Sequence, residues 1–94
     1  MNSKSSILMV DDEPATQFGF TRYLTKAGYD LRCVGTLAEA REEISNKRYD
    51  AILLDLKLPD GNGIDWVGEL RKTQPTLAIV IITGHGDIPV AVEA

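Results

Sequence analysis

One cysteine, Cys33, stands in a chain of 94 residues. A lone thiol excludes an internal disulfide framework and a zinc site built on cysteines. Positive charge is also in short supply, with 10 lysines and arginines against 14 aspartates and glutamates and a net charge of −4. A domain that grips DNA by neutralising phosphates needs a clustered basic face, and none is present. Nor does any apolar run approach the roughly 20 residues that cross a bilayer. The first six residues do not read as a secretory signal. We therefore expect a cytoplasmic protein with no direct contact to membrane or nucleic acid. What the chain does have is ordinary globular composition, 44% hydrophobic and 26% charged. A chain this short buries roughly 60–70% of its unfolded surface around one core, so residues 1–94 read as a single domain.

Short apolar runs alternate with amphipathic segments. Residues 7–10 are continuously apolar and stop at Asp11, Asp12, Glu13 and Pro14. Proline suits the first helical position, and acids suit a helix N-terminus. Phe20, Tyr23, Leu24 and Ala27 then recur at helical spacing, and Gly28 closes the helix. Residues 29–34 alternate apolar with polar, the pattern of a half-exposed strand. Thr36 and Glu39 form a capping box for a second helix, whose apolar face is Leu37, Ala40 and Ile44. A second apolar run, 51–54, stops at Asp55. Residues 59–63, PDGNG, have loop composition. Ile64, Val67 and Leu70 mark a third helix ending before Pro75. The run 77–82 is the most apolar strand, and Pro89 is placed to start a fourth helix.

Alternation of this kind specifies a doubly wound α/β fold with parallel strands and right-handed crossovers. The fully apolar runs suit strands covered on both faces and the alternating run suits a sheet edge, which gives the strand order 2-1-3-4. In such sheets ligands sit outside the carboxyl ends of the strands, where the order reverses. The residues delivered to that rim are Asp11 and Asp12 after strand 1, Asp55 after strand 3 and Thr83 after strand 4. Carboxylates so close repel one another unless a cation sits among them. An all-oxygen site with room for water suits Mg2+. A carboxylate beside such an ion can attack phosphorus to give an acyl phosphate, with a hydroxyl such as Thr83 donating to a phosphoryl oxygen. Asp55, alone at the end of a central strand, is the nucleophile candidate, and Asp11 and Asp12 are the metal holders. Each residue also has a plainer reading. The acidic run can cap a helix, Asp55 can open a turn, and Thr83 can end a strand. His85 reads as a loop residue, Trp66 as surface or groove packing, and Cys33 as a small buried apolar residue.

The segments ILMVDDEP, AILLDLKLPDGNGIDW and IVIITGHGDIPVAVEA carry a family resemblance. An acidic pair, D-x-x-L-P-x-x-x-G and a T-G after an apolar strand together resemble the response-regulator receiver domain of two-component signalling, with its CheY-like, flavodoxin-like fold. The last segment is similar to receivers attached to enhancer-binding and other DNA-binding transcription regulators. The resemblance implies that Asp55 is phosphorylated from the phosphohistidine of a sensor histidine kinase. It implies Mg2+ held by Asp11, Asp12, Asp55 and the backbone carbonyl of Lys57, and Thr83 as the switch hydroxyl. It implies a phosphoprotein that is not an enzyme beyond accepting and slowly losing its own phosphoryl group, and that acts on an output domain or target protein.

The chain also departs from the family pattern. Receivers have a fifth strand ending in a lysine, an aromatic switch residue on it and a last helix. The chain stops within the expected fourth helix, so no lysine here is assigned that role. The apolar strand 77–82 is then expected to be a bare edge that pairs with a second copy, giving a homo-oligomer through the strand 4 and helix 4 surface. Two other functions remain open at this point. One is a truncated receiver that serves only as a dimerisation fragment. The other is a Mg2+-dependent phosphatase or phosphotransferase, although such enzymes place their acids as D-x-D and Asp11 and Asp12 are adjacent.

Overall fold

The computed structural model describes residues 4–82 and the strand at 90–93. In chain order the elements are β1 (Ser6–Val10), α1 (Pro14–Lys26), β2 (Asp30–Val34), α2 (Leu37–Asn46), β3 (Ala51–Asp55), β4 (Lys57–Leu58), β5 (Gly61–Asn62), α3 (Gly63–Thr73), β6 (Ala78–Ile82) and β7 (Val90–Glu93). The main sheet runs β2-β1-β3-β6-β7, and β4 and β5 form a separate two-stranded ribbon. Pairing from β2 through β6 is parallel, with Leu8 opposite Arg32 on one side and Ile52 on the other. The order 2-1-3-4 expected for the four parallel strands is thus observed as 2-1-3-6, because the short ribbon intervenes in the numbering.

Alternation along each strand divides the core into two layers. Leu8, Val10, Ile52, Leu54, Ile79 and Ile81 point to one face, where Leu37 and Ala40 of α2 and Trp66 and Leu70 of α3 cover them. Ile7, Met9, Leu53 and Ile82 point to the other, against Phe20 and Leu24 of α1. That second layer is thinner. No residue of α1 is fully buried, and Tyr23, expected on its inner face, is 74% exposed. Helical spacing alone could not separate Tyr23 from Phe20, since both lie on the same side of one turn. Similarly, Ile64, expected on the apolar face of its helix, lies outside, and Trp66, read as surface or groove packing, is 2% exposed in the core.

Helix boundaries follow local chemistry. Pro14 occupies the start of α1, and Gly28, with φ of 99°, turns the chain out of it as a residue with a Cβ rarely could. Thr36 caps α2 by accepting from Glu39 N at 3.1 Å. The reciprocal arm of the capping box lands one residue early, with Glu39 Oε1 accepting from Gly35 N at 3.0 Å.

The fourth helix is a correction. Where the sequence suggested a helix starting at Pro89, Val90–Glu93 is a strand, paired antiparallel to β6 with Val80 opposite Val92 and Ile82 opposite Val90. The reason lies in β6, whose outer N–H and C=O groups need partners, and in a β-branched segment suited to supply them. The β6 edge is therefore occupied by the chain itself, and the route to a homo-oligomer through a bare strand there loses its basis. Pro89 and residues 83–88 before it lie outside the described residues.

Candidate acidic phosphoacceptor site

Three strand ends build the site. Asp11 continues the β1–β2 ladder, its N–H donating to Val34 O at 3.0 Å, so its position is set by the sheet. Its Oδ1 then accepts from Glu13 N at 2.9 Å, which bends the chain toward α1. Gln17, on the first turn of that helix, donates its side-chain amide to the Asp11 carbonyl. The helix-capping reading of the acidic run does not hold: Glu13 is the N-cap, and its side chain makes no cap hydrogen bond. It accepts instead from Thr16 Oγ1 at 2.7 Å.

Asp55 is the last residue of β3, in register with Ile82 of β6. The turn reading of Asp55 is compatible with its place in the site, because its Oδ1 accepts from Lys57 N at a long 3.3 Å. Gly63 allows α3 to start against this strand end. A Cβ built there would lie 2.3 Å from the Asp55 carbonyl oxygen and 3.0 Å from Leu54 Cγ, so only glycine permits the approach. Gly63 N donates to Leu56 O at 2.9 Å, closing the loop that carries β4 and β5.

The result is convergence. Asp11, Asp12 and Asp55 each offer a carboxylate oxygen, and these oxygens lie within 4.8 Å of one another. Asp11 and Asp55 are buried, at 2% and 9% exposure, while Asp12 faces solvent. Burial pushes the Asp11 carboxyl above its ordinary value of 3.8; the Glu13 N–H opposes this, and the charges of Asp55, Asp12 and Glu13 reinforce it. Buried like charges held together by strand ends are what a hard divalent cation relieves. The donor set, all oxygen and open on the Asp12 side, fits Mg2+ completed by water. Lys57 lies at the start of the β4–β5 ribbon, next to Asp55 in space through its N–H. Thr83 and His85 lie outside the described residues.

Sequence reading missed Asp60. Its carboxylate crosses to the start of α2, Oδ1 accepting from Leu37 N at 2.8 Å and Oδ2 from Ala38 N at 3.0 Å. In the sequence it is one polar residue of a turn. Nothing in spacing ties it to a helix that starts 23 positions earlier.

With this geometry in view, the model of the response regulator receiver domain matches residues 7–94. The chain belongs to the response-regulator receiver family. Receivers are phospho-accepting switches that bind Mg2+ in an acidic pocket and connect sensor kinases to output domains. The luminescence regulatory protein LuxO of Vibrio campbellii is 41% identical over 86 residues, covering 92% of this chain and 19% of LuxO. The photosynthetic apparatus regulatory protein RegA of Rhodobacter capsulatus is 34% identical over 94 residues, all of this chain and 51% of RegA. This receiver therefore spans from about a fifth to half the length of those relatives. Among solved structures, the response regulator TrrA of Thermotoga maritima, in complex with Mg2+-BeF, superposes with a TM-score of 0.81 at 29% identity, covering 87% of this chain and 71% of that one. The α/β fold and its parallel strand order are those of receivers. Among the described residues, no helix is long and apolar enough to cross a membrane.

Proposed function

We propose that residues 1–94 act as one receiver unit in which Asp55 accepts a phosphoryl group from the phosphohistidine of a sensor histidine kinase. The observation that carries this reading is the convergence of Asp11, Asp12 and Asp55 at one sheet rim, two of them buried. An Asp55 carboxylate oxygen attacks phosphorus, an O–P bond forms, the P–N bond breaks, and the electron pair leaves on the imidazole nitrogen. Water later attacks the same phosphorus and returns the free carboxylate and inorganic phosphate. Asp11, Asp12, Asp55 and the Lys57 carbonyl would hold Mg2+, which when bound neutralises charge on the transferred oxygens. The strand end and the Lys57 N–H orient the attacking carboxylate. Asp11 is kept in place by the β2 ladder and by Gln17. Thr83, one residue beyond the register of Asp55 with Ile82, is the proposed donor to a phosphoryl oxygen once Asp55 is modified.

The protein in this reading is a cytoplasmic switch rather than an enzyme, since its only substrate is its own carboxylate. Phosphorylation biases the rim between two states and so alters what an output domain or target binds, an output that would regulate transcription. The test is intact mass after incubation with acetyl phosphate and Mg2+. One added phosphoryl group, absent from Asp55→Asn and absent when Mg2+ is chelated, is the expected result. A folded wild-type chain that gains nothing would sink the proposal.

A further inference from the structure

The phosphoacceptor loop does not stand alone on β3. It folds back as the β4–β5 ribbon, with Lys57 opposite Asn62 and Leu58 opposite Gly61. Its turn presents Asp60 to the start of α2, where the first N–H groups have no partner within the helix. Asp60 takes two of them, with Leu37 N at 2.8 Å and Ala38 N at 3.0 Å, while the next N–H, of Glu39, goes to Thr36 Oγ1 at 3.1 Å. So α2 is capped jointly, by its own N-cap and by a carboxylate from the acceptor loop. The same junction also touches the other half of the site. A Cβ at Gly35 would lie 3.7 Å from Asp12 Cα, so the backbone just before α2 packs on the segment that carries Asp11 and Asp12. At the opposite end of the ribbon, Lys57 N reaches Asp55 Oδ1.

We propose that Asp60 is a positioning residue for phosphoryl acceptance: by tying the loop after Asp55 to the N-terminus of α2, it fixes Lys57 and Asp55 relative to Asp11 and Asp12. Without it the ribbon keeps its own pairing but loses its anchor, and the acceptor half of the site drifts from the metal-holding half. This rests on the phosphoacceptor reading of Asp55 for its consequence, but the anchoring has a readout of its own.

Two variants separate positioning from simple helix stability. Asp60→Ala removes the loop-borne cap, and Thr36→Ala removes the cap that belongs to the helix. Both weaken the same N-terminus, so a purely structural role makes them alike. Positioning makes them differ. Asp60→Ala should speed amide exchange at Lys57 and Gly63, slow labelling by acetyl phosphate, and raise the half-saturating Mg2+ for that labelling, each about fivefold. Thr36→Ala, compared at equal distance below its melting temperature, should do none of these. Asp60→Asn, which keeps one acceptor oxygen and loses the charge, should fall between Asp60→Ala and wild type. Unmoved exchange at Lys57 and Gly63 in Asp60→Ala would overturn the anchoring, and matched behaviour of Asp60→Ala and Thr36→Ala would overturn the positioning role. A wild-type chain that takes no phosphoryl group, with exchange still raised by Asp60→Ala, would instead overturn the phosphoacceptor reading alone.

Discussion

Burial at the end of β1 makes ionisation of Asp11 unfavourable, and the charges of Asp55, Asp12 and Glu13 push in the same direction. The unfolded chain keeps the ordinary value of 3.8, while the folded value lies above it. Below that ordinary value both states hold the proton, and Asp11 has no effect on the balance. As pH rises past it, the unfolded chain ionises first, and the fold loses stability until pH has passed the folded value. At neutral pH, then, the ionised Asp11 works against folding. Asp11→Asn retains an oxygen for the Glu13 N–H and discards the charge. Without Mg2+ it should melt above wild type at neutral pH, and the difference should close as pH falls toward 4. Excess Mg2+ should reverse the order, because wild type, with its full set of carboxylates, gains more from binding, about 2.7 kcal/mol at a hundredfold excess over its Kd. Thermal melts followed by circular dichroism, with and without chelator, check both halves. A variant that never melts above wild type would mean that the carboxylates do not repel as their geometry implies. The site was legible at this scale because it depends on which residue follows each strand. Asp11, Asp12 and Asp55 need only the strand ends to be right, whereas Asp60 needs the path of a loop.

At the scale of elements, two glycines of α3 have opposite demands. Gly63 faces the end of β3, and an added Cβ would lie 2.3 Å from the Asp55 carbonyl oxygen, a backbone atom that cannot rotate away. Gly68 has nothing within 4 Å of where its Cβ would be. Gly63→Ala should therefore destabilise by about 1–3 kcal/mol, the range for overpacking a filled site, and slow labelling of Asp55 by shifting the strand end. Gly68→Ala should stabilise by about 0.5–1 kcal/mol, since alanine loses less backbone freedom in a helix interior. Urea melts of the two variants beside wild type read both signs, and a shared sign would contradict the packing seen here. The elements themselves were largely legible: four apolar or alternating runs became the parallel strands, and the helices began at Pro14 and after Thr36. The faces were less so. Periodicity placed Tyr23 inward and did not count Trp66 among the core residues of its helix, because it gives the angle of a residue about its helix and not the tilt of that helix on the sheet. The β4–β5 ribbon, two residues on each side, is too short to have any periodicity at all.

For the whole molecule, the question is what the sheet does at its β6 side. A strand as apolar as β6 with open N–H and C=O groups would recruit another chain. β7 meets that need from within, pairing four residues antiparallel to it, Ile79 opposite Glu93 through Ile82 opposite Val90. Local sequence pointed to a helix here because Pro89 resembles a helix start, but Val90 and Val92 are β-branched and lose rotamer freedom in a helix. A neighbouring edge that needs partners decides between them, and that edge is a property of the assembled sheet, invisible to a window of a few residues. In an antiparallel strand successive N–H groups point to opposite sides, so of Ala91 and Val92 one must direct its N–H toward β6. Replacing both, Ala91→Pro with Val92→Pro, therefore removes a ladder bond whichever it is and confines the segment to a conformation that pairs poorly. The variant should keep its β2-β1-β3-β6 core and expose β6. Its mass by light scattering should rise with concentration more steeply than that of wild type. A variant that stays folded and associates no more than wild type would mean that β7 is not what keeps the edge from other chains, and the helical alternative for residues 90–93 would regain its standing.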